Sequence, residues 1–222
     1  MQFWVLGHVG LGPDHDRWWN LVLSRNHGNI PEQQWWEVFG GSLPPPAQPA
    51  PLMIAEGREQ SDVMYTNVLG VSFSARCAEV LASVGCRGFV PNRAVIYDRA
   101  DREVVCTDAV WTQVQRGCAE PDVERGFDPL RQNRGTVGLL LDHSTCTGLD
   151  MFKPVKCATV VITDRIAKAI QSAGLRGYQL VRIQDYGRDM VTLLENPRRG
   201  LQSSPQLGFG RQRPRRRPAR AN

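Results

Sequence analysis

One stretch of this chain occurs twice, and that repetition constrains the fold more than any other feature. Residues 71–89 and 160–178 align without a gap over 19 positions, at an offset of 89. Seven positions are identical: Val71/Val160, Arg76/Arg165, Ala78/Ala167, Ser83/Ser172, Gly85/Gly174, Arg87/Arg176 and Gly88/Gly177. Others keep their chemistry, as Phe73 with Ile162, Ser74 with Thr163, and Phe89 with Tyr178. Any fold for this chain must hold two similar units.

Each unit reads as strand, helix, turn, strand. A β-rich run leads to Ser74 or Thr163, residue types that cap a helix N-terminus by accepting an orphan N–H. Cys77, Val80, Leu81 and Val84 then follow helical spacing, as do Ile166, Ala169, Ile170 and Ala173, giving each helix one buried stripe. Gly85 and Gly174 fall where a helix end needs a left-handed residue. A second strand is expected near residues 88–90 and 177–183. The alignment also places Cys77 in the slot of Ile166 and Cys86 in that of Leu175. Positions that accept a branched aliphatic are packing positions, so both thiols are expected in the core. Upstream, Asp62 with Val63-Met64-Tyr65 precedes the first unit, and Asp150 with Met151-Phe152 precedes the second. The acid reads as a turn residue leading into core residues, or as half of a paired acidic site.

The remaining chain gives further elements. Residues 2–6 read as an opening strand. Asn29 or Pro31 can start a short helix over 32–39, since Pro suits the first helical turn. Residues 40–51, rich in Pro, Gly and Ser, read as a loop, and 52–55 as a strand. Residues 95–97 and 103–106 flank Asp98-Arg99-Ala100-Asp101-Arg102 as a hairpin. Residues 116–135 read as an irregular excursion and 136–141 as a strand. After about residue 195 the apolar pattern stops, and Pro, Gly, Gln, Ser and Arg predict a disordered tail. The expected organisation is therefore a strand and short-helix region over 1–60, fused to a repeat-containing core over 61–195, with a basic tail over 196–222. The fold class is α+β, a mixed β-sheet with two pseudo-repeated strand–helix–strand units.

Charge and composition narrow the function. The 222 residues carry a net charge of +5, but eight arginines and no acid lie in residues 197–222. The other 196 residues keep 19 of the 27 basic residues against all 22 acids, a net of −3. The body is mildly acidic, so a basic whole-chain balance does not make it a nucleic-acid binder. The tail lacks interleaved aromatics for base stacking, which leaves at most weak phosphate contacts. No apolar run is long enough for a membrane span, and residues 1–7 carry no basic n-region, so the expected location is cytoplasmic. Six cysteines without Cys-x-x-Cys spacing, in that compartment, read as free thiols rather than disulfides or zinc ligands.

The motifs that could carry chemistry are sparse. Gly7-His8-Val9-Gly10-Leu11-Gly12 follows a strand, but its glycines are in the wrong order for a dinucleotide loop, and Pro13-Asp14-His15-Asp16 stands where the helix should begin. Asp142-His143-Ser144 and Cys146 offer a Cys–His or Ser–His pair without an identifiable orienting group or oxyanion feature. Trp18-Trp19 and Trp35-Trp36 are adjacent pairs, and neighbours on a helix cannot share one core line. One of each pair covers the core edge or meets a partner, and tryptophan is favoured at interfaces. The candidate partner-binding residues are therefore Trp18, Trp19, Trp35, Trp36, Asp62 and Asp150.

Residues 146–152 (Cys-Thr-Gly-Leu-Asp-Met-Phe) and 158–178 resemble the C-terminal signature of a bacterial immunity-protein family, the eleventh type in polymorphic toxin systems. That signature runs from an acid with bulky apolar residues, through a strand and a Ser/Thr-capped helix, to a Gly-x-x-Gly-aromatic end. Residues 62–91 are similar to the family's earlier unit. The resemblance covers 62–183, with the first 60 residues matching loosely and the Arg-rich tail outside it. It implies a cytoplasmic protein of interbacterial competition, an antitoxin that binds a cognate toxin without catalysis, metal or cofactor. An acidic body suits a basic toxin such as a nuclease. The alternatives are a hydrolase-like enzyme with a site near His143 and Cys146, and a nucleic-acid-associated protein acting through its tail.

Overall fold

The computed structural model describes residues 2–8, 17–40, 42–66, 71–114, 141, 148–154, 160–183 and 201–203. They form twelve strands and three helices. In chain order these are β1 (Phe3–His8), β2 (Asn20–Leu23), α1 (Glu32–Gly40), β3 (Ala50–Glu56), β4 (Val63–Thr66), β5 (Val71–Phe73), α2 (Ala75–Ser83), β6 (Pro91–Tyr97), β7 (Val104–Cys106), β8 (Val110–Thr112), β9 (Met151–Phe152), β10 (Val161–Thr163), α3 (Asp164–Ser172), β11 (Tyr178–Arg182) and β12 (Leu201–Ser203). The class is mixed α+β, and strands dominate the core.

The strands make two sheets. One has the order β3-β2-β4-β5-β8-β6-β7, and a further parallel pairing of β3 with β6 closes six of these strands into a barrel. Closure leaves β7 as an appended strand, which abolishes exposed edges elsewhere in the ring. The other sheet has five strands in the order β12-β11-β1-β10-β9, all antiparallel. The two connecting helices sit in equivalent places. α2 joins β5 to β6, and β8 lies between those strands, antiparallel to both. α3 joins β10 to β11, with β1 between them in the same sense. β4 flanks β5 as β9 flanks β10.

The pleat explains the two cores. In β3, Ala50, Leu52 and Ile54 point one way, and Leu21, Met64, Ala94, Ile96 and Trp111 of the other strands join them inside the barrel. α1 plugs this interior with Trp35, Val38 and Phe39. Trp35 stacks on Phe39 at 5.6 Å, and Phe39 meets Trp111 edge-on at 4.9 Å, the geometries that aromatic quadrupoles favour. Gln113 Nε2 anchors the helix end by donating to the Val38 and Leu43 carbonyls. The opposite side of the pleat, Val63 and Phe73, faces the second core. There it packs with Trp4 and Leu6 of β1, Leu81 of α2, Ile166 and Ile170 of α3, and Tyr178 and Leu180 of β11. β4 and β5 thus serve both cores, as the period of two allows.

Most of the expected elements are present. The opening strand, the helix over 32–39, the helices of both units and the hairpin over 95–106 all appear. Some boundaries differ. The second strand of the first unit begins at Pro91 rather than near residue 88, and β3 begins at Ala50, inside the expected loop. The tail expected to be disordered from 196 supplies β12, antiparallel to β11; the three residues Leu-Gln-Ser have ordinary strand alternation that the surrounding Pro and Arg hide. β1, at the start of the chain, pairs with β10 and β11. The expected strand over 136–141, apart from Leu141, and the excursion over 116–135 lie outside the described residues.

Two core substitutions test this packing. Trp35→Ala, at a fully buried site, is expected to cost about 3–5 kcal/mol in denaturant unfolding. Ile170→Asp, also fully buried, places an unpaired charge in the second core and should prevent stable folding. A melting temperature within a degree or two of wild type for either variant would contradict the assignment.

Candidate functional site

The strongest concentration of bonded polar groups lies where the two units meet, and it is built on Asp62 and Asp150. Asp62 immediately precedes β4, and its main chain bonds both ways. Its carbonyl accepts from Ser74 N–H at 3.1 Å, and its own N–H donates to the Arg176 carbonyl at 2.8 Å. Its carboxylate accepts from Ser74 Oγ at 2.6 Å and from Arg176 N–H at 2.7 Å. Asp150 immediately precedes β9 and repeats the pattern with the units exchanged. Its carbonyl accepts from Thr163 N–H at 3.0 Å, and its N–H donates to the Arg87 carbonyl at 2.8 Å. Its carboxylate accepts from Thr163 Oγ1 at 3.0 Å and from Arg87 N–H at 3.0 Å. Each aspartate therefore holds the cap of its own helix and the backbone just past the other helix.

Two arginines complete the exchange. Arg76, in the first turn of α2, donates to the Ala173 carbonyl at the end of α3. Arg165, in the first turn of α3, donates to the Val84 and Gly85 carbonyls at the end of α2. A cation at the carbonyl end of a helix satisfies orphan acceptors and opposes the dipole. The caps themselves differ. Ser74 Oγ accepts from Cys77 N–H at 3.1 Å while donating to Asp62. Thr163 makes no such cap bond, and its hydroxyl is bonded to Asp150.

The two ends also differ in charge. Arg165 Nη2 reaches Asp150 Oδ2 at 2.6 Å and Arg87 Nε at 3.3 Å, and the Asp150 side chain is 3% exposed. Burial alone would raise this carboxyl, but Arg87 N–H, the Arg165 guanidinium and the Thr163 hydroxyl outweigh burial and hold it below the usual range. No ion pair reaches Asp62 among the described residues. Near Asp62, the Tyr178 hydroxyl is buried without a hydrogen-bond partner among the described residues. Burial raises its pKa, and the neighbouring Cys77 and Asp62 raise it further.

The glycines show how closely the units approach. Gly85 and Gly174 have φ of +59° and +61°, with open space where a Cβ would stand. Gly88 and Gly177 have φ of +93° and +73°, and a Cβ there would meet Met151 O and Ser61 Cβ, each at 2.2 Å. The first pair needs only the left-handed conformation, whereas the second also needs the absent side chain.

The structure places the expected site residues as follows. Asp62 and Asp150 are buried, and their carboxylates are occupied within the fold, so neither presents a surface for a partner. Trp18 and Trp35 are buried as well. The Trp35 ring fills the barrel, and Trp18 carries Arg17 over its face at 4.6 Å. Trp19 and Trp36 are half-buried against the barrel core, and Trp36 Nε1 donates to Glu32 at 3.2 Å. The six residues do not form one site. In each pair one ring is buried and its neighbour lies at the edge of the barrel core. The parts that sequence reasoning left without a role are Arg76, Arg87, Arg165 and Arg176. Their signal was present, since all four are identical positions of the repeat.

Cys77, Cys86 and Cys106 are buried free thiols. Burial pushes Cys86 up to about 12 and Cys77 higher still, with Asp150 and Asp62 respectively adding to it. Among the described residues no group of three or more His, Cys, Asp or Glu could hold a metal ion. His15, His143, Ser144, Cys118, Cys146 and Cys157 lie outside the described residues, as do residues 9–16. No helix of the described residues is long and apolar enough to cross a membrane. The chain matches no model of a known protein family and no curated protein.

Three measurements follow from this site. Asp62→Ala should cost about 1–3 kcal/mol through its lost backbone and hydroxyl bonds, and Asp150→Ala up to about 1 kcal/mol more, because water can solvate its two largely exposed arginines once the carboxylate is gone. Equal losses in urea unfolding would contradict the charge difference between the ends. Because the folded Asp150 carboxyl is depressed, its contribution is present above the unfolded value near 4 and is lost as pH falls through the lower folded value. The stability gap between wild type and Asp150→Asn should therefore narrow below about pH 4, and a gap unchanged from pH 7 to 3 would oppose this. Gly85→Ala should cost about 1 kcal/mol, whereas Gly88→Ala and Gly177→Ala should cost clearly more by the same assay. An equal cost at all three would show that the units are not in contact there.

Proposed function

We propose that this chain is an immunity protein: it binds a cognate toxin of a contact-dependent or secreted polymorphic toxin system and neutralises it by sequestration, without catalysis of its own. The observation that carries the reading is where the resemblance falls. The acid, the Ser/Thr cap, the helix and the glycine-rich end that resemble the immunity family are the same groups that tie Asp62 to Ser74 and Arg176, and Asp150 to Thr163 and Arg87. A signature made of scaffold contacts suits a protein whose task is to hold a binding surface rather than to align reacting groups.

In this reading the two units are one motif used twice, and the protein acts in the cytoplasm of the toxin-producing cell and its kin. The partner is a basic toxin, with nucleases as the leading class. The net charge of −3 over residues 1–196 would speed encounter with it, an effect that weakens as salt screens the charges. Of the residues first considered for contact, Trp19 and Trp36 remain as partner-facing candidates, since they keep exposed surface while the other four are buried.

Co-expression tests the proposal. The gene beside this one is expressed alone and together with this chain in a bacterium lacking both. Growth arrest by the neighbour, restored growth with both, and co-purification as a stable complex are the expected results. Toxicity that this chain neither relieves nor binds would overturn the reading.

A further inference from the structure

We infer that the hairpin between β6 and β7 is a clasped strap: it folds back over the outside of the barrel, is held there by Asp101, and uncovers an apolar face of β2 and β3 when that clasp opens. The register requires the fold-back. Tyr97, the last residue of β6, is level with Met53 of the parallel β3. From there the hairpin leaves in the direction of Glu56, whereas the Ser24 N–H bonds to the Pro51 carbonyl, two residues the other way. Yet Ser24 Oγ donates to Asp101 Oδ1 at 2.5 Å, and Arg25 N–H to Asp101 Oδ2 at 2.8 Å. Asn26 Nδ2 donates to the Asp101 carbonyl at 2.6 Å. The hairpin tip therefore crosses β3 to reach the end of β2. Its base is built to bend: Tyr97 and Ile96 are adjacent but face Val104 and Cys106, which leaves Val105 as the extra residue of a bulge.

Burial shows what lies beneath. Leu21, Leu23, Ala50 and Leu52 turn to the barrel core, so Val22, Ser24, Pro51 and Met53 turn outward. Ser24 and Pro51 are nonetheless buried. Val22 and Met53, packed against neither core, are half-buried. The strap itself carries little apolar anchorage, since Arg99, Ala100, Arg102, Glu103, Val104 and Val105 are all exposed. Its hold is polar: the Asp101 clasp, and Arg99 Nη2 on the Gly57 carbonyl at 2.5 Å. Asp101 has φ of +58°, alone among the described non-glycine residues, a conformation that surrounding contacts must hold. A segment with few buried apolar contacts opens at a lower free energy than the whole fold.

Trypsin and the neutral apolar dye Nile red test the strap on the full chain. In Asp101→Ala, cleavage after Arg99 and Arg102, followed by peptide mass, should rise at least about tenfold, the effect of losing hydrogen bonds to a charged group. Dye fluorescence should rise with it, while the melting temperature moves by only a few degrees. Asp101→Asn tolerates the same backbone conformation and keeps one acceptor oxygen, so it should fall between wild type and the alanine variant. Unchanged cleavage at the two arginines, or cleavage that rises only in step with cutting after Arg93 inside β6, would overturn the strap. Unchanged dye fluorescence would overturn the covered face.

Discussion

The described structure depends on a reciprocal bond between a buried carboxylate and the backbone of the opposite unit. Asp62 takes the N–H of Arg176, and Asp150 takes the N–H of Arg87. A buried carboxylate is costly unless donors surround it, and only the correct approach of the two units supplies those donors. Each aspartate therefore reports on both units at once. If one unit shifts, the N–H of Arg87 or Arg176 loses its carboxylate acceptor. The arginines that cross to the opposite helix ends act in the same direction, since separating the two helices breaks both contacts.

This junction also connects the barrel to the five-stranded sheet. β4 follows Asp62 directly and β9 follows Asp150, so each strand enters its sheet from a fixed point. β4 and β5 then carry Met64 into the barrel and Val63 and Phe73 into the second core. The barrel is plugged by α1 on its own account, through Trp35 and Phe39. Its orientation toward the second core is set by the junction and by the two-sided strands.

The helices and their glycine ends were legible because they are local. Ser74, the Cys77–Val84 stripe and Gly85 lie within twelve residues, and the 3.6-residue period and the left-handed cap are written in that span. The barrel was not legible. Its closure needs β2 parallel to β4 and β3 parallel to β6, at offsets of 45 and 44 residues, and no local pattern encodes so distant a pairing. The same holds for β1 and β8, which lie between strands that the repeat alone would have made neighbours. The aspartates were visible as an echo, but their main partners lie 114 and 63 residues away, so the sequence left open only a turn or a paired acidic site. The identical arginines and glycines of the repeat were the better clue, because a repeat conserves within itself what its two copies need from each other.

Native-state hydrogen exchange at the Arg87 and Arg176 amides tests the central claim most directly. If the two aspartates lock the units together, both amides should exchange only through global unfolding, with the same free energy and the same dependence on denaturant. Exchange of either amide through a smaller opening, with the other still protected, would show that the units come apart independently and would contradict the account.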